Sequence, residues 1–453
     1  MSETIGIAKA DPTKTFFVKM ITRDITLEDC IMDLIDNSVD GAWRLKGHRP
    51  MGLEDDVDLS DYSVDILLTP DRFSILDDCG GMKRDEAEDH AFSFGRLGDD
   101  VHDDYSIGVY GIGMKRAVFK LGRSIRVRST YTEDGTTTSF AVPIDVDAWL
   151  GNEVPPWKFD IVHDKPLPKD GVEVSVESLT RGAAQAFSNP AFVQNLRRMI
   201  GRDYTLHLSR GLKISLNKVA ISGWPIELRQ SEDIAPVRLQ YEDTVGDETV
   251  NVEIIAGMAG PPPDSLEPDE ASEGDRRSGW YVVCNGRIVL AADRTSISVW
   301  AAEDWPQWHS QYAGFIGVIL FAAANATALP LTTTKRSVDT ASELYRRARL
   351  RMRDVTKQWI AYTNARRQDI DRARAIENAA SSVSLRLIGN RDVVRLPTFT
   401  PRPPSEPAAF INYTVSKARL RKMAMALDGV NMTQRDVGLK TFDYCFEDLV
   451  GKD

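Results

Sequence analysis

Residues 33–40, DLIDNSVD, are rich in polar side chains although the neighbouring residues are apolar. If the segment is helical, Asp33, Asn37 and Asp40 lie at positions i, i+4 and i+7 and share one face. An apolar stripe with the same spacing lies on a neighbouring face, at Leu27, Ile31 and Leu34. A row of oxygen atoms beside such a stripe is either a solvated surface or a site for a hard cation and a water molecule. The helix alone leaves both interpretations open.

Two glycine motifs follow, DDCGGM at residues 77–82 and GVYGIGMK at residues 108–115. The first is a tight corner after two predicted strands, and the second runs from a loop into a predicted helix. Glycines let successive amide groups converge on a phosphate, and the start of a helix presents its positive end to an anion. The second motif therefore indicates a phosphate site, although a glycine loop alone is a poor signal.

Composition excludes several classes of protein. The chain has 453 residues, 42% of them hydrophobic and 27% charged, which is typical of a globular protein of two to four domains. Its net charge of −11 argues against a surface that binds nucleic acid everywhere but leaves room for a local basic patch. The longest apolar run, residues 313–324, is too short to span a bilayer and is predicted to be a buried strand leading into a helix.

The cysteines and the N-terminus bear on location. The four cysteines form no CxxC pair, and with the six histidines they offer no zinc spacing. The first residues lack the apolar core of a signal peptide. We therefore expect a reducing, cytoplasmic environment.

Periodicity predicts an α+β protein. Residues 1–180 alternate helices with strands and should place the helices on one face of a largely antiparallel sheet. A second α+β unit is predicted at 181–340, where the acidic, proline-rich residues 261–278 form a loop. A basic helical segment at 341–395 follows, and residues 396–453 are a proline-rich linker and a small appendage.

The motifs DLIDNSVDGA, DDCGGM and GVYGIGMK, in this order, resemble the three signature boxes of the GHKL superfamily. Its ATP-binding unit is the Bergerat fold, and its members include gyrase B, MutL, the MORC proteins, the large heat-shock chaperones and histidine kinases. The resemblance implies a Bergerat-fold α/β sandwich that binds ATP and Mg²⁺ and hydrolyses the ATP.

The resemblance assigns roles to the first box. Asn37 matches the magnesium ligand of the family, and Asp33 stands where the family usually has a glutamate that orients or deprotonates the attacking water. The shorter aspartate either works after a small shift of the helix or makes hydrolysis slow. Asp40 either braces the site through hydrogen bonds or caps or solvates the helix. Glu28 is a poorer substitute base because it lies more than a turn earlier.

In the second box, Asp77 resembles the carboxylate that accepts a hydrogen bond from the adenine amino group. Gly81 would let the backbone approach the purine, and Met82 would pack against it. Cys79 replaces a glycine of the family, so the corner must bend without it. Val172 replaces the threonine of a Gly-Thr pair, which implies one polar contact to the nucleotide fewer.

In the third box, the resemblance assigns the phosphates to Gly108, Gly111 and Gly113. Lys115 either touches phosphate or faces solvent. The segment from about residue 83 to residue 107 would be the lid that closes over the nucleotide.

The chain after residue 180 resembles the transducer domain of gyrase B, MutL and MORC. VVCNGRIV matches their strand with an Asn-Gly-Arg turn, and LPLTTTKRS matches the loop that returns a lysine to the γ-phosphate. Lys335 is therefore the predicted nucleotide sensor, which would couple the ATP state to the angle between domains.

Five arginines crowd the predicted basic helix: Arg346, Arg347, Arg349, Arg351 and Arg353. Such a concentration in an acidic protein is either a contact to the phosphates of duplex DNA or a solvated helix face.

Together these features predict an ATP-gated homodimeric clamp of the MutL/MORC type, in which the N-terminal segment exchanges between subunits. It would act on DNA, or with a separate effector protein that does, as in bacterial restriction, repair or phage defence. Two alternatives stay open. One is a weakly hydrolysing chaperone or nucleotide-dependent scaffold, and the other is the ATPase subunit of a type II topoisomerase.

Overall fold

The structure is a computed structural model. It describes residues 13–47, 50–93, 104–108, 111–151, 157–264, 276–301, 305–332, 334–399, 411–427 and 432–451. The chain divides into two compact units, residues 1–399 and 400–453. Within these described ranges, no helix combines the length and the apolar character needed to cross a membrane. The predicted exchange of the N-terminal segment concerns residues that lie largely outside the described ranges.

The first part of the chain builds an eight-stranded sheet with helices. Its elements are α1 (Lys14–Arg23), α2 (Leu27–Leu45), β1 (Ser63–Leu68), β2 (Arg72–Asp77), α3 (Arg84–Glu86), α4 (Gly113–Leu121), β3 (Gly122–Glu133), β4 (Thr136–Asp145), α5 (Val146–Gly151), β5 (Val162–His163), β6 (Gly171–Leu179), α6 (Arg181–Phe187), α7 (Pro190–Asp203), α8 (Thr205–Leu208), β7 (Lys213–Leu216) and β8 (Val219–Ala220).

The strand order of this first sheet is β5-β4-β3-β6-β2-β1-β7-β8. Its pairs are antiparallel except β1 with β7, which is parallel. The predicted α+β architecture with a largely antiparallel sheet is thus confirmed. Strands β7 and β8 lie after residue 180, so the sheet extends past the boundary that the sequence predicts.

The rest of the first unit builds a second sheet with a long helix. Its elements are β9 (Glu227–Gln230), β10 (Val237–Val245), β11 (Glu248–Met258), β12 (Gly279–Cys284), β13 (Arg287–Asp293), β14 (Phe315–Ala323), α9 (Glu343–Arg366), α10 (Ile370–Ala379) and β15 (Ser381–Ser384). The order of the second sheet is β10-β11-β14-β12-β13, and β9 pairs separately with β15.

The second sheet lies between two hydrophobic cores because its side chains alternate. Ile255, Val283 and Leu320 belong to the core that also contains α2 and the first sheet. Their chain neighbours Ile254, Val282 and Ile319 belong to the core that α9 covers. This alternation is the period of a strand buried on both faces. The two sheets therefore share a continuous core.

The residues after Lys83 form the short helix α3, followed by a π-helical turn at Ala87–Ala91. One predicted helix differs from the structure. The apolar run at 313–324 forms strand β14 as predicted, but the helix after it is a 3₁₀ turn at Ala326–Ala328. Pro330 accounts for the stop, since the residue before a proline is kept extended, as Leu329 is here.

The second unit contains α11 (Lys417–Leu427) and α12 (Gln434–Leu449). The two helices contact each other, and Ala424 and Val437 are buried in this unit.

Candidate functional site

Helix α2 carries the central side chains of the site. It begins with a capping box, in which Thr26 and Asp29 exchange side-chain to main-chain hydrogen bonds. Its apolar stripe is fully packed into the first core, at Ile31, Leu34, Ile35, Val39 and Ala42. Because this stripe fixes the rotation of the helix, the polar residues between its members point in set directions.

Asp33, the predicted base, is a buried carboxylate between two cations. Arg116 of α4 places Nε and Nη2 at 2.8 and 2.7 Å from Asp33 Oδ2. Lys335 Nζ lies 3.4 Å from Asp33 Oδ1. Arg116 thus occupies one carboxylate oxygen, and the other oxygen faces the ammonium group.

Asn37, the predicted magnesium ligand, is exposed one turn after Asp33. Its carboxamide makes no hydrogen bond with the residues that the structure describes. Over the same residues, no group of three or more His, Cys, Asp or Glu side chains is arranged to hold a metal. A free carboxamide oxygen fits Mg²⁺ held jointly by one side chain and by phosphate oxygens.

Asp40 binds the start of the glycine loop. Its Oδ1 accepts a hydrogen bond from the Ile107 amide at 2.7 Å, and its Oδ2 accepts one from the Gly108 amide at 2.9 Å. Of the two roles left open by the sequence, hydrogen bonding to the surrounding loop is the one whose contacts are present. Burial raises the pKa of Asp40 to about 7, with a smaller contribution from the neighbouring Asp36 charge.

The glycine loop leads into α4 without a side-chain cap. Gly111 has a φ of +62°, in the left-handed region that glycine favours. Helix α4 begins at Gly113, and Ile112 before it provides no side-chain hydrogen bond. The positive end of α4 suits an anion, and the predicted phosphate end of the site is at this point. The predicted lid at 83–107 lies partly outside the described residues.

Lys115 does not face solvent, so that expectation is wrong. The side chain is buried, and its Nζ donates to the carbonyl oxygen of Ala91 at 2.9 Å and to that of Ser93. Both acceptors belong to the segment after α3. Lys115 thus supports the segment after α3, and a phosphate contact by it stays a prediction.

Asp77 ends strand β2 as a buried carboxylate with three hydrogen bonds. Its Oδ2 accepts from Ser38 Oγ at 2.7 Å, and its Oδ1 accepts from the Cys79 and Val172 amides at 3.0 and 3.2 Å. Burial raises the pKa of Asp77, while these hydrogen bonds oppose the shift. Val172 lacks a hydroxyl, as the sequence indicates, but its amide helps to fix Asp77.

The corner after Asp77 bends at its two glycines. Gly80 and Gly81 have φ values of +98° and +73°, so Cys79 keeps an ordinary conformation. A Cβ on Gly81 would overlap the carbonyl oxygen of Thr130 in β3. Met82 is buried, and its amide donates to Ser129 Oγ at 2.8 Å. Burial raises the pKa of the Cys79 thiol, which keeps it protonated and fits a structural role.

Lys335 comes from the loop after the second sheet and reaches α2. Its Nζ lies 2.7 Å from Asp36 Oδ2, and the side chain is 6% exposed. The residue has a φ of +55°, which is unfavourable for a lysine and is held by the surrounding contacts. Its neighbour Arg336 pairs with Asp29, at the start of α2. The structure thus brings the predicted sensor to the helix that carries the predicted base.

Asp36 is a site residue that sequence reasoning missed. It is fully buried, and besides Lys335 it binds Arg287 and the Tyr204 hydroxyl, which lies 2.6 Å from Oδ1. Burial alone would raise the pKa of Asp36, but Arg287 and Lys335 outweigh it and hold the pKa below its usual value. The signal in the sequence is Arg287, which belongs to the Asn-Gly-Arg turn of VVCNGRIV.

The five arginines in the first half of α9 bind groups of the chain itself rather than the site on α2. Arg347 pairs with Asp243 at 2.8 Å, and Arg349 donates to the Ser298 carbonyl oxygen at 2.7 Å. Cation–π contacts place Arg351 over Tyr241 and Arg353 over Trp305. Arg346 makes a distant ion pair, 3.9 Å, with Glu343.

Comparison with known protein families finds a match for one part of the chain. Residues 25–167 match the family model described as histidine kinase-, DNA gyrase B-, and HSP90-like ATPase. The matched stretch contains all three motifs, whereas Lys335 and the arginines of α9 lie outside it. Comparison of the chain with curated proteins finds no significant match.

Proposed function

We propose that this chain, whose residues 25–167 belong to the GHKL superfamily of ATPases, is an ATPase that uses bound nucleotide to change its assembly. ATP binding and hydrolysis are what the family match supports. The Mg²⁺ dependence, the residue roles and the action on a partner are our proposals.

The observation that carries the proposal is that α2 binds both of the other motifs directly. Ser38 of α2 donates to Asp77 in the second motif, and Asp40 of α2 accepts from Gly108 in the third. Three motifs that are separate in the sequence thus meet along one helix. A site with a buried carboxylate at one end and an uncapped helix start at the other suits a purine nucleotide with its phosphates.

The adenine end would be formed by Asp77 and the glycine corner. Asp77 Oδ1 already accepts two hydrogen bonds, but Oδ2 accepts only the one from Ser38. The second lone pair of Oδ2 can therefore accept from the adenine amino group while the present hydrogen bonds are kept. The backbone at Gly81 would lie against the purine, beside Met82. This assignment predicts a preference for adenine, because guanine has no amino group at the corresponding ring position.

The phosphate end would be formed by Gly108, Gly111 and Gly113 and by the amides that begin α4. Asn37 would hold Mg²⁺, which when bound neutralises phosphate charge. Asp33 Oδ1 would orient the attacking water and accept its proton, since Oδ2 is bound by Arg116. Lys335, beside the same oxygen, would stabilise the negative charge of the terminal phosphoryl group.

The ion pairs of Asp33 favour slow hydrolysis. A base that must share its carboxylate with Arg116 and Lys335 is less available to a water molecule. This observation keeps the second candidate function, a nucleotide-dependent scaffold or chaperone that hydrolyses little.

Beyond the ATPase itself, we favour an ATP-gated homodimeric clamp that acts on DNA or through a separate effector protein, as in bacterial restriction, repair or phage defence. Support comes from Lys335, which links the loop after the second sheet to the helix of the nucleotide site. A change in nucleotide state at this point would alter contacts of both sheets.

Replacement of Asn37 by alanine tests the ATPase. Because Asn37 is exposed, we expect Asn37→Ala to keep the native melting temperature while Mg²⁺-dependent ATP turnover falls by about a hundredfold or more. Turnover would be followed by phosphate release, and the binding of ATP and of a non-hydrolysable analogue by calorimetry. The mass in solution, with and without that analogue, tests nucleotide-dependent dimerisation.

The matched control is Asn195→Ala, which removes an exposed carboxamide from α7. It should leave turnover and dimerisation unchanged. If the native protein releases no heat on mixing with ATP at millimolar Mg²⁺, the proposed function fails. If it binds ATP but turns over at the same low rate in native and Asn37→Ala proteins, the scaffold is the better description.

A further inference from the structure

Asp36 joins charged groups from three parts of the fold. Arg287 comes from the start of β13 in the second sheet, Tyr204 follows α7, and Lys335 comes from the loop before α9. Arg287 and Asp36 are 1% and 0% exposed in their side chains. A carboxylate held by two further groups in a close-packed interior has little freedom to move. Asp36 is therefore a fixed point to which the Lys335 ammonium is attached.

The attachment places Lys335 beside the phosphate end of the site. Gly113, the first residue of α4, packs against Asp33, since a Cβ on this glycine would lie 3.4 Å from Asp33 Cβ. Asp33 Oδ1 also lies 3.4 Å from Lys335 Nζ. The ammonium group and the helix start that would receive the phosphates are therefore both next to the Asp33 side chain.

A buried lysine needs such an attachment to stay charged and in place. Burial alone would lower the pKa of Lys335, but Asp36 and Asp33 outweigh it and raise the pKa. An ammonium group has three N–H donors, and Asp36 takes one at 2.7 Å. Donors remain for an oxygen that arrives at the phosphate end.

We infer that Asp36 is the positioning residue of Lys335, holding its ammonium group where it discriminates a nucleoside triphosphate from a diphosphate. The inference rests on the proposed function of the site as an ATP site. Asp36 does not touch the nucleotide and acts through Lys335. Since Arg287 shares the carboxylate, the same residue fixes the second sheet to the discriminating cation.

The test is the ratio of the dissociation constant of ADP to that of a non-hydrolysable ATP analogue, measured by calorimetry with Mg²⁺. For Asp36→Asn, positioning predicts that the preference for the triphosphate falls by about tenfold, because the ammonium group loses its charged partner. A direct effect of charge predicts the opposite sign, since removing a negative charge near phosphates should strengthen triphosphate binding. The two explanations therefore differ in direction.

Lys335→Met should lose the same preference, and Asp36→Asn combined with Lys335→Met should lose no more than Lys335→Met alone. A second variant, Asp36→Asn with Arg287→Gln, removes one charge of each sign and avoids leaving a guanidinium unpaired in the interior. It should show the same loss of preference as Asp36→Asn, which keeps the test open if the single variant does not fold.

The outcomes separate the two claims. If native protein binds neither nucleotide, the proposed function fails and the inference fails with it. If native protein prefers the triphosphate and the folded Asp36 variants keep or increase that preference, Asp36 does not position Lys335, while the ATP site stands.

Discussion

Asp36 and Asp40 are one helical turn apart on α2, yet their pKa values are shifted in opposite directions. Arg287 and Lys335 hold the pKa of Asp36 below its usual value despite burial. Asp40 has backbone amides as its hydrogen-bond partners, and burial raises its pKa from 3.8 to about 7. Two full guanidinium or ammonium charges can outweigh desolvation, whereas two amide dipoles do not. Asp40 should therefore titrate near neutral pH.

Asp40→Asn tests this at the level of stability. With a pKa raised from 3.8 to about 7, the folded protein binds more protons at Asp40 than the unfolded chain does between these pH values. The stability due to Asp40 is thus complete at low pH and is lost as pH rises through 7. Asparagine does not titrate, so the free energy of unfolding of Asp40→Asn relative to native protein should increase with pH across this window. Urea unfolding of both proteins, repeated at intervals of about one pH unit from about pH 5 to about pH 8, measures this difference.

The matched control is Asp71→Asn, an exposed carboxylate in the turn between β1 and β2. The difference in the free energy of unfolding between Asp71→Asn and native protein should vary less with pH than the difference for Asp40→Asn. Parallel pH profiles for Asp40→Asn and native protein would show that Asp40 keeps its ordinary pKa, despite the facing charges of Asp36 and Lys335.

At the scale of elements, the site depends on how closely the corner after β2 approaches β3. Gly81 has a φ of +73°, and a Cβ there would overlap the Thr130 carbonyl oxygen. Gly135, in the turn between β3 and β4, has a φ of +76° with no atom within 4 Å of its Cβ position. The two glycines thus share a backbone conformation and differ in available space. Comparing them separates the cost of the conformation from the cost of the contact.

We expect Gly135→Ala to lower the free energy of unfolding by about 1 kcal/mol, the cost of a left-handed alanine. Gly81→Ala should lower it by more than about 3 kcal/mol, because the corner or β3 must also move. Equilibrium unfolding in urea measures both variants. Equal losses would mean that the corner moves away from β3 at little cost and does not fix Asp77.

Local patterns predict the elements well because the information lies within a few residues. The apolar stripe of α2 and the apolar run that forms β14 are of this kind. The partners of Asp36 are not, since Arg287 and Lys335 are 251 and 299 residues away in sequence. The burial of Lys115 is also set by tertiary neighbours, as its acceptors come from the segment after α3. The sequence therefore predicts the nucleotide motifs but not the ionic network behind them.

At the scale of the whole molecule, the second sheet separates two cores, and α9 covers the one farther from α2. Arg347, Arg349 and Arg351 lie where this helix meets the second sheet and its loops. Arg349 donates to the carbonyl oxygens of Ser296 and Ser298, and Arg347 pairs with Asp243. Much of the basic character of α9 is therefore used in holding the helix to the sheet.

The contacts of these arginines predict which of them can bind the phosphates of DNA. Arg346 is the arginine that reaches phosphates at least cost, because its side chain is 59% exposed and its ion pair with Glu343 is 3.9 Å long. If α9 contacts duplex DNA, Arg346→Ala should weaken binding and reduce its salt dependence, with stability unchanged. Arg349→Ala, on the same helix, should lower the free energy of unfolding by about 1–2 kcal/mol, because two carbonyl oxygens lose a charged donor.

Fluorescence anisotropy over a range of salt concentrations measures DNA binding, and urea unfolding of both variants measures stability. DNA binding that is equal in native and Arg346→Ala proteins at every salt concentration would remove α9 from the DNA-binding surface, and an absence of binding in native protein would favour the scaffold.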